Sequence, residues 1–459
     1  MAIETRPRID DQALAAFGAS LRGALIRPGD PGYTDAIGVY NAMIDRRPAL
    51  IARCAGVADV LAAVRFARDR GLRVAVRGGG HNVAGNALCD GGLVIDLSPM
   101  RAIRVDPARR TARAEGGAIW RDFDQETQAF GLATTGGTIS TTGIVGLTLG
   151  GGQGYLMRKY GLACVNLLSA DVVLADGSFV TASAEEHPDL FWALRGGGGN
   201  FGVVTALEYQ LHPVGPVLGG LILHPVERAA GVLRHYREFQ RDAPDELAVL
   251  PALLTAPDGT RLAAYIVGYA GPAEDGEAAL APLRRFGPPV ADTVQPMAYT
   301  AVQQQLDEGW PYGHHHYWKS SFLRELSDAA IDTIVEHFLA APSPLSAVLI
   351  EPVGGAVARV DRRSTAYAHR DGHPSLLFAA RWADPAEADR EIAWARAAWA
   401  AMRPFVDQGV YPNYMEGGAE GAARIKAAYG ENYERLTRVK AAYDPTNFFR
   451  VNQNIPPAG

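Results

Sequence analysis

The hexapeptide Arg77-Gly78-Gly79-Gly80-His81-Asn82 sets a histidine directly after three residues with no side chain. Such a run lets the backbone approach a flat or charged ligand closely and take up positive φ without steric cost. The imidazole behind it is a nitrogen nucleophile at neutral pH. A second run, Arg195-Gly196-Gly197-Gly198-Gly199-Asn200-Phe201-Gly202, has the same make and leads into Val203 and Val204. Between the two, residues 136–154 contain eight glycines, among them Gly136, Gly137, Gly143, Gly146, Gly150, Gly152 and Gly154, with Thr138 and other hydroxyl residues interleaved with Ile and Leu. Backbone N–H groups and hydroxyls at that density suit phosphates. Cys164 adds a thiol, Tyr411-Pro412-Asn413-Tyr414 two phenols, and Glu351 a carboxylate at the end of an apolar run. A phenol titrates near ~10, so a tyrosine working as a base needs a partner.

The elements that must position these groups follow from periodicity. Val57, Val60, Leu61, Val64 and Ala67 mark one face of a helix over 57–70, stopped by Gly71. Flanking runs at 48–53, 72–76 and 92–97 read as strands, the second delivering the first glycine run. Further strands are expected at 102–105, 111–114, 168–174, 178–181 and 203–211, with helices at 10–24, 119–130 and 186–194. Gly197 to Gly202 has the spacing G-x-G-x-x-G, but it follows a helix and opens a strand, the reverse of a dinucleotide-binding Rossmann turn. After residue 216 the glycine clusters vanish. Helices are expected near 226–241, 273–285, 327–340 (capped by Ser327) and 385–403, with strands near 246–255, 261–269, 346–352 and 375–383 and a strand-like stretch at 321–323. Two more helices are expected in the tail. This is an α+β chain: residues 1–215 form one domain with its core from about 46, residues 216–410 form a second with an antiparallel sheet flanked by helices, and 411–459 return to the first.

Composition narrows the function classes. The chain has 459 residues, 48% hydrophobic and 20% charged, with a net charge of −6. That balance offers no basic field for nucleic acid. No apolar run reaches membrane-spanning length. The N-terminal residues lack the apolar stretch of a signal peptide, and the three cysteines show no paired spacing. A cytoplasmic location is expected. His314-His315-His316 look like metal ligands, but neighbouring side chains do not easily share one tetrahedral ion, and no metal is expected.

Taken in order, these motifs resemble the berberine-bridge-enzyme-like branch of the FAD-linked oxidases, bacterial members included, which share the vanillyl-alcohol-oxidase or PCMH-type FAD-binding fold. The matching stretches are Arg77–Asn82, Gly136–Gly154, Lys159–Cys164 with Asn166, Ser169–Gly177, Phe191–Gly202, Tyr411–Tyr414, and Asp444–Phe449 with Asn452, Asn454 and Ile455. The resemblance implies a two-subdomain FAD-binding domain, a substrate domain, and FAD bonded through both His81 and Cys164. Where the family commonly has Asp after that cysteine, this chain has Val165. Electron-withdrawing links of that kind raise the flavin potential, and anchoring lets the site stay open to a bulky substrate.

The implied reaction moves a hydride from a substrate carbon to the flavin while Tyr411 or Tyr414 takes a proton. Tyr317, Lys319 and Glu351 are candidates beside it, with Tyr367, His369 and Arg370 as further pocket residues. The small-molecule substrate would be an alcohol, on a sugar or a natural product, or a cyclic amine as in 6-hydroxy-D-nicotine oxidase. A non-catalytic flavin carrier is the reading of another class. Oxygen or another acceptor would remove the electrons; in plant relatives the residue three after the cysteine, here Leu167, gates oxygen, and leucine there marks dehydrogenases. The chain is expected to act as a monomer or homodimer.

Overall fold

The computed structural model describes residues 10–416 and 421–459; the N-terminal residues read above for a leader fall mostly outside them. Three sheets make the frame. Four strands form the first, in the order Ala24–Ile26, Leu50–Arg53, Leu93–Asp96, Val74–Arg77, the last three parallel. The helix Val57–Asp69 covers it, because its buried stripe Val60, Ala63, Val64, Ala67 meets Leu50, Val74 and Leu93. The parallel strand Val74–Arg77 ends where Gly78 begins, so the sheet itself aims the first glycine run.

Five antiparallel strands form the second sheet, in the order Ile103–Asp106, Thr111–Glu115, Val203–Gln210, Leu167–Val173, Phe179–Ser183. The second glycine run enters it at Val203, directly after the helix Pro188–Leu194. The helix-then-strand order that argued against a Rossmann turn is therefore present.

The third sheet is antiparallel and runs Ala291–Asp292, Val217–Pro225, Arg261–Tyr269, Leu247–Thr255, Ala347–Glu351, Ser375–Trp382, His315–Phe322, with Gln295–Met297 beside Val217–Pro225. Helices Ala229–Phe239, Asp328–Leu339 and Ala388–Met402 pack one face, around Val249, Phe378 and Trp382. Ser327 caps the second of these, its hydroxyl accepting the Ala330 N–H. The other face carries Leu250, Ala252 and Ile266, which pack on Tyr155 and Leu156 of the glycine-rich side. Two expectations need correcting. Val217–Pro225 is a strand the sequence did not announce, because Gly219 and Gly220 interrupt its apolar alternation. The strand expected only around Ser321 begins at His315.

Polar ties hold the layers in register. Asp307 accepts from Ser140 N at 2.9 Å and Ser140 Oγ at 2.5 Å, and pairs with Arg121 at 3.0 Å. The Lys440 ammonium, wholly buried, spends three donors on Asn200 O, Phe449 O and the Asp444 carboxylate, fixing the tail to the second glycine run.

Asp124 is buried beside Gln303, whose amide donates to it at 3.0 Å, and its other oxygen has no partner. Burial pushes its carboxyl up to about 8. The folded chain thus holds a proton that the unfolded chain gives up near ~4. That contribution to stability is complete below the unfolded value and is lost as pH rises toward about 8. Asp124→Asn keeps the Gln303 bond without the ionisation. Its thermal midpoint should gain on the parent steadily between those limits, and a difference that stays flat with pH would contradict the assignment.

Candidate active site

Where the two glycine-bearing sheets face the side of the large sheet opposite its three long helices, a cleft of roughly 1810 Å³, solvent at its mouth included, runs between them. Its floor is backbone. Gly78, Gly79 and Gly80 line it opposite Gly143 and Gly146, with Gly199 and Gly202 further along. The loops touch: a Cβ on Gly143 would stand 2.6 Å from Gly79 N. Val74, Val76, Leu97 and Val204 give the floor an apolar stretch, and Asn82, Thr138, Asn413 and Asn452 supply polar edges. The facing wall is apolar and aromatic, made by Leu306, Trp310, Trp318, Leu349 and Leu377.

His81 lines this cleft with its side chain buried. Burial pulls its imidazole down to about 4, so the ring is neutral at neutral pH and keeps a lone pair. At the other end stands the turn Pro412–Tyr414. Asn413 Nδ2 donates to Leu147 O at 2.9 Å, an approach that Gly150 permits, since a Cβ there would lie 2.0 Å from Asn413 Oδ1. The two tyrosines have different surroundings. Tyr411 oxygen accepts from Gly152 N and Gln153 N, both at 3.1 Å, and from Asn413 Nδ2 at 2.9 Å. Tyr414 hydroxyl donates to Glu351 Oε1 at 2.8 Å. Glu351 is buried at the end of its strand, its second oxygen unpartnered, and burial pushes its carboxyl up to about 7.

Several expected site residues stand elsewhere. Cys164 is fully buried in an apolar cluster with Met157, Leu162 and Tyr367 and does not line the cleft; burial pushes its thiol up, partly countered by Arg370 and Arg195. The sequence context was matched, but the 3-10 turn Ala163–Asn166 sets the thiol among apolar side chains. Leu167 is buried among Ala163, Ala170 and Leu207 and is not among the residues lining the cleft. Tyr317 and Lys319 alternate with His316 and Trp318 along one strand and so leave on its opposite face. There Arg396 donates to Tyr317 hydroxyl at 3.0 Å, and Lys319 pairs with Glu416.

Arg77 donates to Ala36 O. Gly136, Gly137, Gly152 and Gly154 are not among the cleft-lining residues: a Cβ on Gly154 would lie 1.8 Å from Gly136 O, and one on Gly152 2.4 Å from Ala163 Cβ. Asn200 spends its amide on Gly197 O, Gln453 O and Ile455 N. Val203 faces the core, one residue from cleft-lining Val204, and Asn454 lies outside the lining. Tyr367, His369 and Arg370 sit behind the cleft, bonded to Gln153, Ala428 O and Thr365. Among the described residues no cluster of His, Cys, Asp or Glu is placed to hold a metal, and no helix is long and apolar enough to cross a membrane.

A long groove floored by glycine backbone, with a neutral histidine on one side and a tyrosine–carboxylate pair on another, has the makings of an FAD site. The class is that of the FAD-linked oxidoreductases. Residues 48–183 match the FAD binding domain family, and residues 410–456 match the berberine and berberine-like family. The chain is 35% identical to (R)-6-hydroxynicotine oxidase of Paenarthrobacter nicotinovorans, across 96% of its own length and 98% of the other's. It is 29% identical to a xylooligosaccharide oxidase of Thermothelomyces thermophilus, over 91% and 89% of the two chains. The crystal structure of 6-hydroxy-D-nicotine oxidase from Arthrobacter nicotinovorans superposes with a TM-score of 0.88 at 33% identity, over 96% of this chain and 99% of that one. A Physcomitrella patens berberine-bridge-enzyme-like protein, 24% identical, shares the fold with a TM-score of 0.89 over 97% and 99%. The chain belongs to the berberine-bridge-enzyme-like FAD-linked oxidoreductases.

Proposed function

We propose that this protein oxidises a carbon bearing a hydroxyl or an amine on a largely apolar, ring-containing small molecule, with Tyr414 as the base and oxygen as acceptor. The observation that carries this is the 2.8 Å bond from Tyr414 to the buried Glu351 carboxylate beside the cleft. FAD, when bound, supplies the two-electron acceptor for the substrate hydride. Its backbone cradle would be Gly78–Gly80 with Gly143, Gly146, Gly199 and Gly202, and His81 would bond it.

Tyr414 Oη takes the proton from the substrate hydroxyl or amine, while its own proton passes to Glu351 Oε1. The three N–H donors on the Tyr411 oxygen favour its phenolate, but they fill its acceptor positions and leave it the less free to take a substrate proton. Its role is to hold the turn on the glycine shell. The wall of Trp310, Trp318, Leu349 and Leu377 favours apolar rings. An oligosaccharide would leave many hydroxyls facing it without partners. The kinship with a hydroxynicotine oxidase points the same way.

The test is anaerobic mixing of the purified holoprotein with a panel of aromatic alcohols, cyclic amines and oligosaccharides, followed by flavin absorbance. Bleaching by ring-bearing alcohols or amines is expected. Bleaching by oligosaccharides alone would overturn the substrate class, and no bleaching by any member would favour a carrier.

A further inference from the structure

Tyr40 is wholly buried between two imidazoles. Its ring centroid lies 3.7 Å from that of His81, with the planes 16° from parallel. On its other face His316 stacks at 4.4 Å and 25°. Tyr312 meets Tyr40 and His81 edge-on, at 5.3 Å and 5.8 Å, and its hydroxyl donates to Gly79 O at 2.8 Å. The backbone locks the group in place. Tyr40 N–H donates to Gly80 O at 3.0 Å. The Asn41 amide donates to Val83 O at 2.7 Å and His316 O at 2.9 Å, and accepts His316 N–H at 2.9 Å.

No side-chain hydrogen bond accounts for the stack. Tyr40 Oη, His81 Nε2 and both ring nitrogens of His316 are buried without partners among the described residues. What the arrangement provides is orientation. An imidazole turns about two bonds, and here one neighbour covers its face and another its edge. Stacked and edge-on ring contacts favour one relative orientation beyond what burial alone does. Holding a nucleophile in one attack geometry removes entropy from the barrier.

Given the reading that His81 bonds the flavin, we propose that Tyr40, backed by His316 and edged by Tyr312, is the positioning residue for that bond. Because His316 belongs to the large sheet, attachment waits until that sheet has docked on the glycine loops. In the bond-forming step one C–H bond of the flavin 8-methyl group breaks and one N–C bond to His81 forms. The methyl carbon and the imidazole each give up a proton, and the flavin ring takes up the matching two electrons. Molecular oxygen then removes both electrons and both protons as hydrogen peroxide.

The experiment follows attachment directly. Full-length apoprotein is mixed with FAD in air, and acid-precipitable flavin is measured over time, with filter binding for total FAD and thermal melting for fold. Tyr40→Leu should bind FAD but attach it roughly 10- to 100-fold more slowly than the parent. Tyr40→Phe, which keeps the ring and loses only an unpartnered hydroxyl, should attach at the parental rate. His316→Ala should fall between the two. Attachment by Tyr40→Leu at the parental rate, or by Tyr40→Phe as slowly as by Tyr40→Leu, would overturn the proposal. Parental attachment by His316→Ala would overturn the dependence on docking. If Tyr40→Leu does not fold, Tyr312→Leu decides, since its ring is partly exposed: slowed attachment supports the stack and an unchanged rate overturns it. A parent protein that never yields precipitable flavin would instead remove the His81 bond on which the inference rests.

Discussion

Tyr414→Phe is expected to lower the rate of flavin reduction by substrate roughly 10²- to 10⁴-fold, the range for loss of a positioned base, while FAD stays bound. The hydroxyl is the only part of the side chain removed, and the ring contacts with Trp318 and Tyr411 remain possible. The companion change Glu351→Gln tests the relay. Burial holds the Glu351 carboxyl up at about 7, so at lower pH it is protonated and offers Tyr414 no place for its proton. The reduction rate should therefore rise with pH, by about tenfold per unit on the acid limb, and level off above about 7. Glu351→Gln should lower the plateau and erase the limb. Stopped-flow reduction across pH reads both effects. Retention of a tenth of the parental rate in Tyr414→Phe would move the base elsewhere, and an acid limb that persists in Glu351→Gln would assign it to another group. The same burial makes stability depend on pH: the contribution of the protonated carboxyl is complete below its unfolded value and is lost as pH rises through about 7.

Much of this site was legible from the chain because glycine marks places where backbone must meet something closely. Gly78–Gly80, Gly143, Gly199 and Gly202 do line the cleft. Gly136 and Gly154 do not line it; there the close neighbours are the Gln303 and Trp120 side chains and the Gly136 carbonyl. Glycine spacing alone does not say which. The strand pattern failed at His315–Phe322 because its start was placed too late, and the alternation that puts Trp318 on the cleft side and Tyr317 and Lys319 away from it was lost. Tyr40 carried no motif. Its role comes from contact with residues 41 and 276 positions away along the chain, which periodicity does not encode. The choice between Tyr411 and Tyr414 likewise depended on partners, three backbone or amide donors for one and a carboxylate for the other.

His81→Ala is expected to abolish acid-precipitable flavin altogether, whereas Cys164→Ser should leave it at the parental level. Both residues stand in matching motifs, with Val165 departing from the family pattern beside Cys164, and their environments separate them further. His81 borders the cleft as a neutral ring, its imidazole pulled down to about 4 by burial. Cys164 stands outside the lining, in apolar surroundings that favour the unreactive thiol over the thiolate. Bonding of the second kind would require the 3-10 turn Ala163–Asn166 to leave its place, where Cys164 N–H donates to Gly151 O at 2.9 Å and Asn166 Nδ2 to Leu162 O at 3.0 Å. His81→Ala should still bind FAD through the glycine floor, but with a lower reduction potential once the electron-withdrawing nitrogen link is gone. Its substrate-driven reduction should then slow while substrate binding changes little. The pellet colour after acid precipitation, the mass of flavin-bearing peptides and a redox titration give three separate readings. A yellow pellet from His81→Ala together with a colourless one from Cys164→Ser would place the bond on the sulfur and require the turn to open. Loss of colour only in the double substitution would restore two tethers.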